Sequence, residues 1–276
     1  MVKQTKLAAG IVVTIFAVFS FNSLIALAAT SAELVTLPVR ENITETYLLV
    51  ADGAAPVEQV ALLFSGGSGQ VKLRPASTTP AYAERGNFLV RTRYLWATEG
   101  FAAAIVDVPS DHQGSGIDDQ FRLSQTHADD IAKVIVELKQ RYPKAKLTLV
   151  GTSRGTISAA SIARHIPAGI DKVVLSSTLF NSSRNGGVGL AGFDYSSIKA
   201  PLLFVHHADD GCVVTPYSGA RRQAASYPLI TVHGGKPAES GECDPLAAHG
   251  YFGKEAETVN AIKNWIRGSA YPNDIN

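Results

Sequence analysis

A serine between two glycines is the residue in this sequence best suited to covalent chemistry, in the pentapeptide Gly151-Thr152-Ser153-Arg154-Gly155. The apolar residues 147–150 before it predict a buried strand, and the small residues 156–163 after it predict a helix. A strand, a sharp turn and a helix in this order can hold a nucleophilic serine clear of both elements. A purely structural glycine-rich turn can have the same sequence, so the pattern alone leaves the chemistry open.

A serine hydroxyl needs further groups to act as a nucleophile. It needs a histidine to accept its proton, an acid to orient that histidine, and N–H donors for the developing oxyanion. Asp209 and Asp210 follow an apolar stretch at residues 201–206, and His249 precedes the last helical pattern. A glycine-rich stretch, residues 65–69, follows the first strongly apolar run. The sequence therefore contains every residue type that acyl transfer through a serine requires.

The elements around these residues alternate between strand and helix patterns. We predict strands at residues 35–39, 44–50, 57–64, 101–108, 147–150, 170–175, 201–206 and 229–233, and helices at residues 88–98, 124–142, 156–163, 216–225 and 255–266. Such alternation predicts an α/β fold with a mostly parallel central sheet and helices on both faces. Ligands of these sheets bind at the carboxyl ends of the strands, where the serine and the candidate loops lie.

The candidate residues follow one another in the chain as serine, acid and histidine, which is the order found in the α/β-hydrolase family. The chain resembles this family from residue 33 to the C-terminus. More narrowly, the chain is similar to small exported bacterial serine hydrolases. The resemblance implies the α/β-hydrolase fold without a large lid domain, and a site without a metal or an organic cofactor.

The resemblance also implies roles for individual residues. Ser153 is expected to be the nucleophile, His249 the general base and Asp210 the acid that orients it. Asp209 remains an alternative acid, and His233 an alternative base.

The oxyanion donors are expected to be backbone N–H groups of Gly67 and Arg154, with Ser68 as the alternative to Gly67. The loop reads Ser-Gly-Gly where many family members have His-Gly, which leaves the choice of donor open. The side chain of Arg154, Arg91 or Arg122 could bind a carboxylate or phosphate of the substrate, or could simply be solvated.

The N-terminus predicts export. Two lysines precede an apolar run and an Ala-Leu-Ala cleavage site, which is the layout of a signal peptide over residues 1–28. An uncleaved membrane anchor over residues 7–29 is the alternative. We expect residues 29–276 to form one domain in a periplasmic or secreted protein, with no stable membrane association once the signal peptide is cleaved.

Export also bears on the state of the two cysteines, Cys212 and Cys243. In an oxidising compartment two cysteines predict a disulfide. This bond would connect the loop of the candidate acids to the segment before His249.

The motifs and the resemblance together imply a serine esterase that acts on a small-molecule ester through an acyl-enzyme. A net charge of +1 with 18% charged residues and no basic stripe argues against a nucleic-acid partner. A peptidase or amidase, or an acyltransferase using the same three residues, remains open. So does a non-catalytic binding protein that retains the fold.

Overall fold

Nine strands form one sheet in the computed structural model, which describes residues 1, 30–53, 55–76, 86–183 and 187–276. The strands are β1 Ser31–Arg40, β2 Ile43–Ala51, β3 Gln59–Phe64, β4 Phe101–Val106, β5 Lys146–Thr152, β6 Lys172–Ser176, β7 Leu202–His207, β8 Leu229–Val232 and β9 Asp274–Ile275. Across the sheet they lie in the order β1-β2-β4-β3-β5-β6-β7-β8-β9. β2 pairs antiparallel with β1 and β4, and the other pairs are parallel. The prediction of a mostly parallel sheet is confirmed.

Helices cover both faces of this sheet, as predicted. They are α1 Phe88–Arg91, α2 Arg93–Trp96, α3 Asp119–Leu123, α4 Gln125–Arg141, α5 Gly155–His165, α6 Tyr217–Gln223 and α7 Glu255–Arg267. Alternate residues of β3 supply the two cores: Val60, Leu62 and Phe64 pack with α4 and α5, whereas Ala61 and Leu63 pack with α1, α2 and α7. Truncating a buried residue such as Leu62 to alanine typically costs about 2–5 kcal/mol of stability.

Two parts of the structure differ from the predicted elements. Residues 88–98, predicted as one helix, form α1 and α2, because Thr92 interrupts the helical ladder. Its Oγ1 donates to Phe88 O at 2.7 Å and accepts from Trp96 Nε1 at 3.2 Å, a side-chain bond that competes with helix formation. The elements α3 and β9 were not predicted, because each is too short to show the periodicity of a helix or a strand.

The N-terminal predictions lie, apart from Met1, outside the described residues: the signal peptide over residues 1–28 and the alternative anchor over residues 7–29. Among the residues that the structure describes, no helix combines the length and the apolar character needed to cross a bilayer. All nine strands fall within residues 29–276, the predicted domain.

The predicted site residues gather at the carboxyl end of the parallel strands. Ser153 follows β5, the loop 65–69 follows the neighbouring β3, and Asp210 follows β7. His249 lies in the long connection between β8 and α7. The topology therefore brings together segments that are far apart in the chain.

Candidate active site

Ser153 occupies the tight turn between β5 and α5. Its φ of +53° lies in the left-handed region, which is strained for a residue with a side chain. The Ser153 N–H donates to Ser176 O at 3.0 Å, and the Thr156 N–H donates to Ser153 O at 3.0 Å. A Cβ on Gly155 would lie 2.0 Å from Phe64 O, so only glycine fits where the helix begins. The sequence thus forms the sharp turn that the motif predicts.

The loop of residues 65–69 packs directly against this serine. A Cβ on Gly66 would lie 2.9 Å from Ser153 Cβ and 3.5 Å from its Oγ. Gly67 is exposed and has a φ of +58°. Among the described hydrogen bonds, the N–H groups of Gly67 and Arg154 have no acceptor. Two free amide donors beside a serine can bind a developing oxyanion.

His249 lies in a single 3-10 turn, Ala248–Gly250, and its side chain is buried. The turn is fixed to the ends of two strands. His249 O accepts a hydrogen bond from Ser177 Oγ at 2.7 Å. The buried hydroxyl of Tyr251 donates to Val205 O at 2.9 Å and accepts from the Ser177 N–H at 3.0 Å. These bonds hold the histidine backbone against the ends of β6 and β7.

The imidazole of His249 contacts the carboxylate of Asp210, with Nδ1 3.0 Å from Oδ2 and 3.3 Å from Oδ1. The carboxylate also accepts from Cys212 N and Thr215 Oγ1, each at 3.0 Å. Burial raises the pKa of Asp210, but hydrogen bonds from His206 and His249 outweigh that effect and hold the pKa below its ordinary value. An ionised carboxylate can therefore orient the His249 ring at neutral pH.

The alternative acid, Asp209, and the alternative base, His233, lie away from the cavity that contains Ser153. Asp209 is exposed, whereas Asp210 is buried at the histidine. The side chain of His233 is 40% exposed and lies 3.4 Å from Asp274, at the end of β8. Neither Asp209 nor His233 lines the cavity that contains Ser153, whereas the alternative oxyanion donor Ser68 does.

A second buried histidine, which the sequence patterns do not single out, also contacts Asp210. His206 Nε2 lies 3.2 Å from Asp210 Oδ2 and 2.8 Å from Thr215 O. The only sequence signal was its position at the end of the β7 pattern, and a strand pattern does not reveal how the following turn folds back. Within the described ranges, no group of three His, Cys, Asp or Glu side chains is arranged to hold a metal ion.

Cys212 and Cys243 form a disulfide, as predicted. The bond links the loop that carries Asp210 to the segment before His249. Cys243 also lines the cavity at Ser153, so the disulfide forms part of the wall of the site. By the chain-entropy model, closing a loop of this length contributes about 3–4 kcal/mol.

A surface cavity of about 190 Å³ brings the reactive groups together. It is lined by Gly66, Gly67, Ser68, Gln70, Asn87, Phe88, Thr152, Ser153, Cys243, Asp244, Pro245, His249 and Gly250. Within the described residues, no hydrogen bond joins Ser153 Oγ to His249; such bonds commonly tighten only when substrate binds. Among the described residues no large lid covers this cavity.

The three arginines considered from the sequence make different contacts. Arg154 Nε lies 3.1 Å from the buried carboxylate of Asp119, and Arg91 Nη2 lies 3.0 Å from Glu255. Arg154 also lines a neighbouring cavity of about 570 Å³. Arg122 is fully buried beneath the 65–69 loop. Its guanidinium therefore cannot meet a substrate directly.

A family model described as serine aminopeptidase, S33, matches residues 82–191. This segment contains Ser153 and ends before Asp210 and His249. No curated protein sequence matches the chain.

Solved structures match over most of their length. Est1E from Butyrivibrio proteoclasticus has a TM-score of 0.59 at 14% identity, over 85% of this chain and 98% of that chain. An α/β serine hydrolase without a lid from Xanthomonas campestris has a TM-score of 0.57 at 13% identity, over 88% and 97%. The chain has the α/β-hydrolase fold. A cold-adapted esterase from an Arctic intertidal metagenomic library is also similar, with a TM-score of 0.52 at 15% identity, over 74% and 85%.

At these identities the solved structures establish the fold alone. The family model adds a sequence match that includes the serine turn. A serine aminopeptidase is a hydrolase, so the family model supports hydrolase activity.

Proposed function

We propose that this protein is a serine esterase that cleaves small carboxylic esters through an acyl-enzyme. The observation that carries the proposal is the convergence of Ser153 and His249 on one cavity, with the ionised Asp210 behind the histidine. The amides of Gly67 and Arg154, which have no acceptor among the described hydrogen bonds, complete the set of groups that acyl transfer needs.

In the acylation step, Ser153 Oγ attacks the carbonyl carbon while His249 Nε2 accepts the hydroxyl proton. Asp210 holds Nδ1 of the histidine and stabilises the imidazolium that forms. The carbonyl oxygen becomes an oxyanion, which the Gly67 and Arg154 N–H groups bind. The bond from carbon to the alkoxy oxygen then breaks, and His249 returns the proton so that an alcohol leaves.

In the deacylation step, a water molecule replaces the alcohol. His249 accepts a proton from the water, whose oxygen attacks the carbonyl carbon of the acyl-enzyme. The bond between that carbon and Ser153 Oγ breaks, and the serine regains its proton from His249. The products are a carboxylic acid and the free enzyme.

The size and lining of the cavity favour short acyl groups. A volume of about 190 Å³ is small, and Gln70, Asn87 and Asp244 contribute polar groups to its wall. A long acyl chain would extend beyond the wall into water and would gain little from burial. We therefore expect activity to fall as the acyl chain lengthens.

An aminopeptidase is the second candidate. Two observations favour it: the family model is described as serine aminopeptidase, and Asp244 lines the cavity beside His249. A carboxylate in that position could pair with the amino terminus of a peptide. Faster turnover of aminoacyl p-nitroanilides than of p-nitrophenyl esters, lost in Asp244→Asn, would favour this candidate.

The first test is the hydrolysis of a p-nitrophenyl ester series from acetate to octanoate by the oxidised protein. We expect turnover of the short esters, loss of turnover in Ser153→Ala, and fluorophosphonate labelling at Ser153. Ser115→Ala, at an exposed serine outside the cavity, is the matched control and should behave as wild type. A folded wild type that neither turns over nor labels would instead favour a binding protein that retains the fold.

We also propose that the enzyme is exported and works in the periplasm or outside the cell. The disulfide between Cys212 and Cys243 supports this location, because such bonds persist in oxidising compartments. Cell fractionation and N-terminal sequencing of the mature protein test it. A mature chain beginning at residue 29 is expected, whereas an intact N-terminus in the cytosolic fraction would exclude export.

A further inference from the structure

Arg122 is a buried cation that the proposed reaction does not yet use. It lies on α3 with an exposed fraction of 1%. Among the described residues it forms no ion pair with a carboxylate, and its Nε has no hydrogen-bond partner. Burial, followed by the charge of Arg154, lowers its pKa to about 9, so it remains a cation at neutral pH. A buried charge without a direct counter-ion is costly, which calls for an explanation.

The guanidinium connects the two segments that form the reactive centre. Its Nη1 donates to Ser158 Oγ at 2.9 Å, and Ser158 belongs to α5, the helix that begins just after Ser153. Its Nη2 donates to Gly67 O at 3.3 Å, in the 65–69 loop. This single rigid, planar group therefore sets the distance between α5 and the 65–69 loop.

The surrounding loop is shaped to admit this side chain. A Cβ on Gly69 would lie 2.8 Å from Arg122 Nη2, and Gly69 has a φ of +80°. The Gly69 N–H donates to Gly66 O at 3.1 Å, and the Ile117 N–H donates to Ser68 O at 2.9 Å. The carbonyl groups of the loop are thus held on the protein side.

Holding a carbonyl fixes the direction of the amide on the same peptide. In a trans peptide the C=O and N–H groups point in opposite directions, and the described chain contains no cis peptide. The bond to Gly66 O directs the Gly67 N–H away from the loop interior. The bond from Arg122 to Gly67 O does the same for the Ser68 N–H and also polarises that peptide.

The positive charge of Arg122 lies beneath the same loop, which carries the Gly67 and Ser68 N–H groups. Its polar neighbour His127 has its pKa lowered to about 3, by burial first and then by the charges of Arg122 and His112, so His127 adds no charge at neutral pH. The carboxylates of Asp118 and Asp119 belong to the same short segment, and Asp119 pairs with Arg154. A cation fixed beneath the loop amides favours negative charge on the substrate oxygen, at no reorganisation cost.

We propose that Arg122 is a positioning residue for the oxyanion hole, in which its bond to Gly67 O fixes the loop that carries the Gly67 N–H and the alternative donor, the Ser68 N–H, and its charge lies beneath them. This inference rests on the proposed esterase function. It assigns Arg122 a role in stabilising the transition state and none in binding the ground-state ester.

The test compares Arg122→Met and Arg122→Lys with Lys263→Met, the matched control. Lys263 is a cation on α7 with an exposed fraction of 1%, bonded to Thr98 and Leu95 O and absent from the cavity. For each variant kcat and KM for p-nitrophenyl acetate are measured, with the inhibition constant of a short alkylboronic acid. The boronate adds to Ser153 as a tetrahedral anion and so reports on the oxyanion hole.

We expect Arg122→Met to lower kcat by about 10- to 100-fold with KM changed less than about threefold, because an oxyanion-hole interaction is lost. Boronate affinity should fall by a similar factor. Arg122→Lys keeps a cation but cannot bridge Ser158 and Gly67, so kcat should recover only in part. Lys263→Met should keep wild-type kcat and boronate affinity.

Two results would overturn the proposal: an Arg122→Met enzyme with wild-type kcat and boronate affinity, or a loss no larger than in Lys263→Met. If Arg122→Met does not fold, Arg122→Lys decides, since full kcat in that variant also rules out a positioning role. The wild type separates the two proposals. If it neither hydrolyses esters nor labels at Ser153, the esterase function fails first, whatever the Arg122 variants show.

Discussion

His206 Nε2 lies 3.2 Å from Oδ2 of Asp210, the oxygen that also lies 3.0 Å from Nδ1 of His249. The carboxylate thus lies between two buried imidazoles, of which only His249 lines the cavity. His206 Nε2 also contacts Thr215 O at 2.8 Å, an acceptor, which assigns the hydrogen to Nε2. Because Nε2 carries one hydrogen, His206 shares it between Thr215 O and the acid, on the side away from the substrate.

Replacing His206 by leucine should lower kcat by about tenfold, because a hydrogen bond to a charged group is worth about 1.5–3 kcal/mol. KM should change little, since His206 does not reach the cavity. His206→Gln keeps an N–H donor and should retain most of the activity. Steady-state kinetics with p-nitrophenyl acetate, alongside thermal melts, check this, and a folded His206→Leu enzyme with wild-type kcat contradicts it.

Gly66→Ala should reduce both activity and stability. Its Cβ would lie 2.9 Å from Ser153 Cβ and 3.1 Å from Thr152 O, so either the loop or the serine must shift. Overpacking of this kind costs about 1–3 kcal/mol. Gly114→Ala is the matched control, because a Cβ there meets nothing within 4 Å. Fluorophosphonate labelling rates and melting temperatures distinguish the two variants, and equal labelling would show that the loop does not constrain the serine.

Glu45→Gln should stabilise the protein increasingly as pH rises. Glu45 is fully buried, and neither carboxylate oxygen has a hydrogen-bond partner among the described residues. Burial first, and then the charges of Asp130 and Asp107, raises its pKa well above 4.5. The folded state therefore holds a proton that the unfolded chain releases, and stability from this group is lost as pH rises from about 4.5 through the folded pKa.

Melting temperatures of Glu45→Gln and wild type, measured between pH 4 and pH 8, test this linkage. The two proteins should be closest at the acidic end and should diverge toward the alkaline end. Glu41→Gln, at an exposed position on the same hairpin, should follow wild type throughout. A difference between Glu45→Gln and wild type that does not vary with pH would assign the effect to packing and not to ionisation.

Removing the disulfide with the double change Cys212→Ser and Cys243→Ser should destabilise the protein by about 2–4 kcal/mol. It should also lower kcat, because the loops that carry Asp210 and His249 lose their covalent connection. Urea unfolding and ester turnover measure the two effects. Reducing the wild type should give the same result, whereas free thiols that titrate in the native oxidised protein would show that the bond is not formed in solution.

The serine turn could be predicted because its determinants are local. Gly151, Ser153 and Gly155 are neighbours in sequence, and the strand and helix around them have clear patterns. The disulfide was also predictable, since two cysteines allow one pairing. The sheet followed from the alternation of elements, whereas β9 and α3 were too short to show any pattern.

The contacts between distant segments could not be predicted in the same way. Asp209 and Asp210 are neighbours of the same residue type, and the turn after β7 directs only Asp210 inward. That direction depends on hydrogen bonds from Thr215 and Cys212 to Asp210. Arg122 lies between the strand predicted at residues 101–108 and the helix predicted at residues 124–142, where the sequence predicts no element. Its approach to Gly67 exists only after β3, α3 and α5 have packed.

The open cavity has a consequence for the lifetime of the acyl-enzyme. Ser153 is partly exposed and lines a surface cavity, so bulk water can reach the acylated serine as soon as the alcohol leaves. An acceptor other than water would compete with water at a concentration of about 55 M, without a closed pocket to exclude it. The shape of the site therefore favours complete hydrolysis over transfer. Adding methanol or glycerol should divert only a small share of the acyl product.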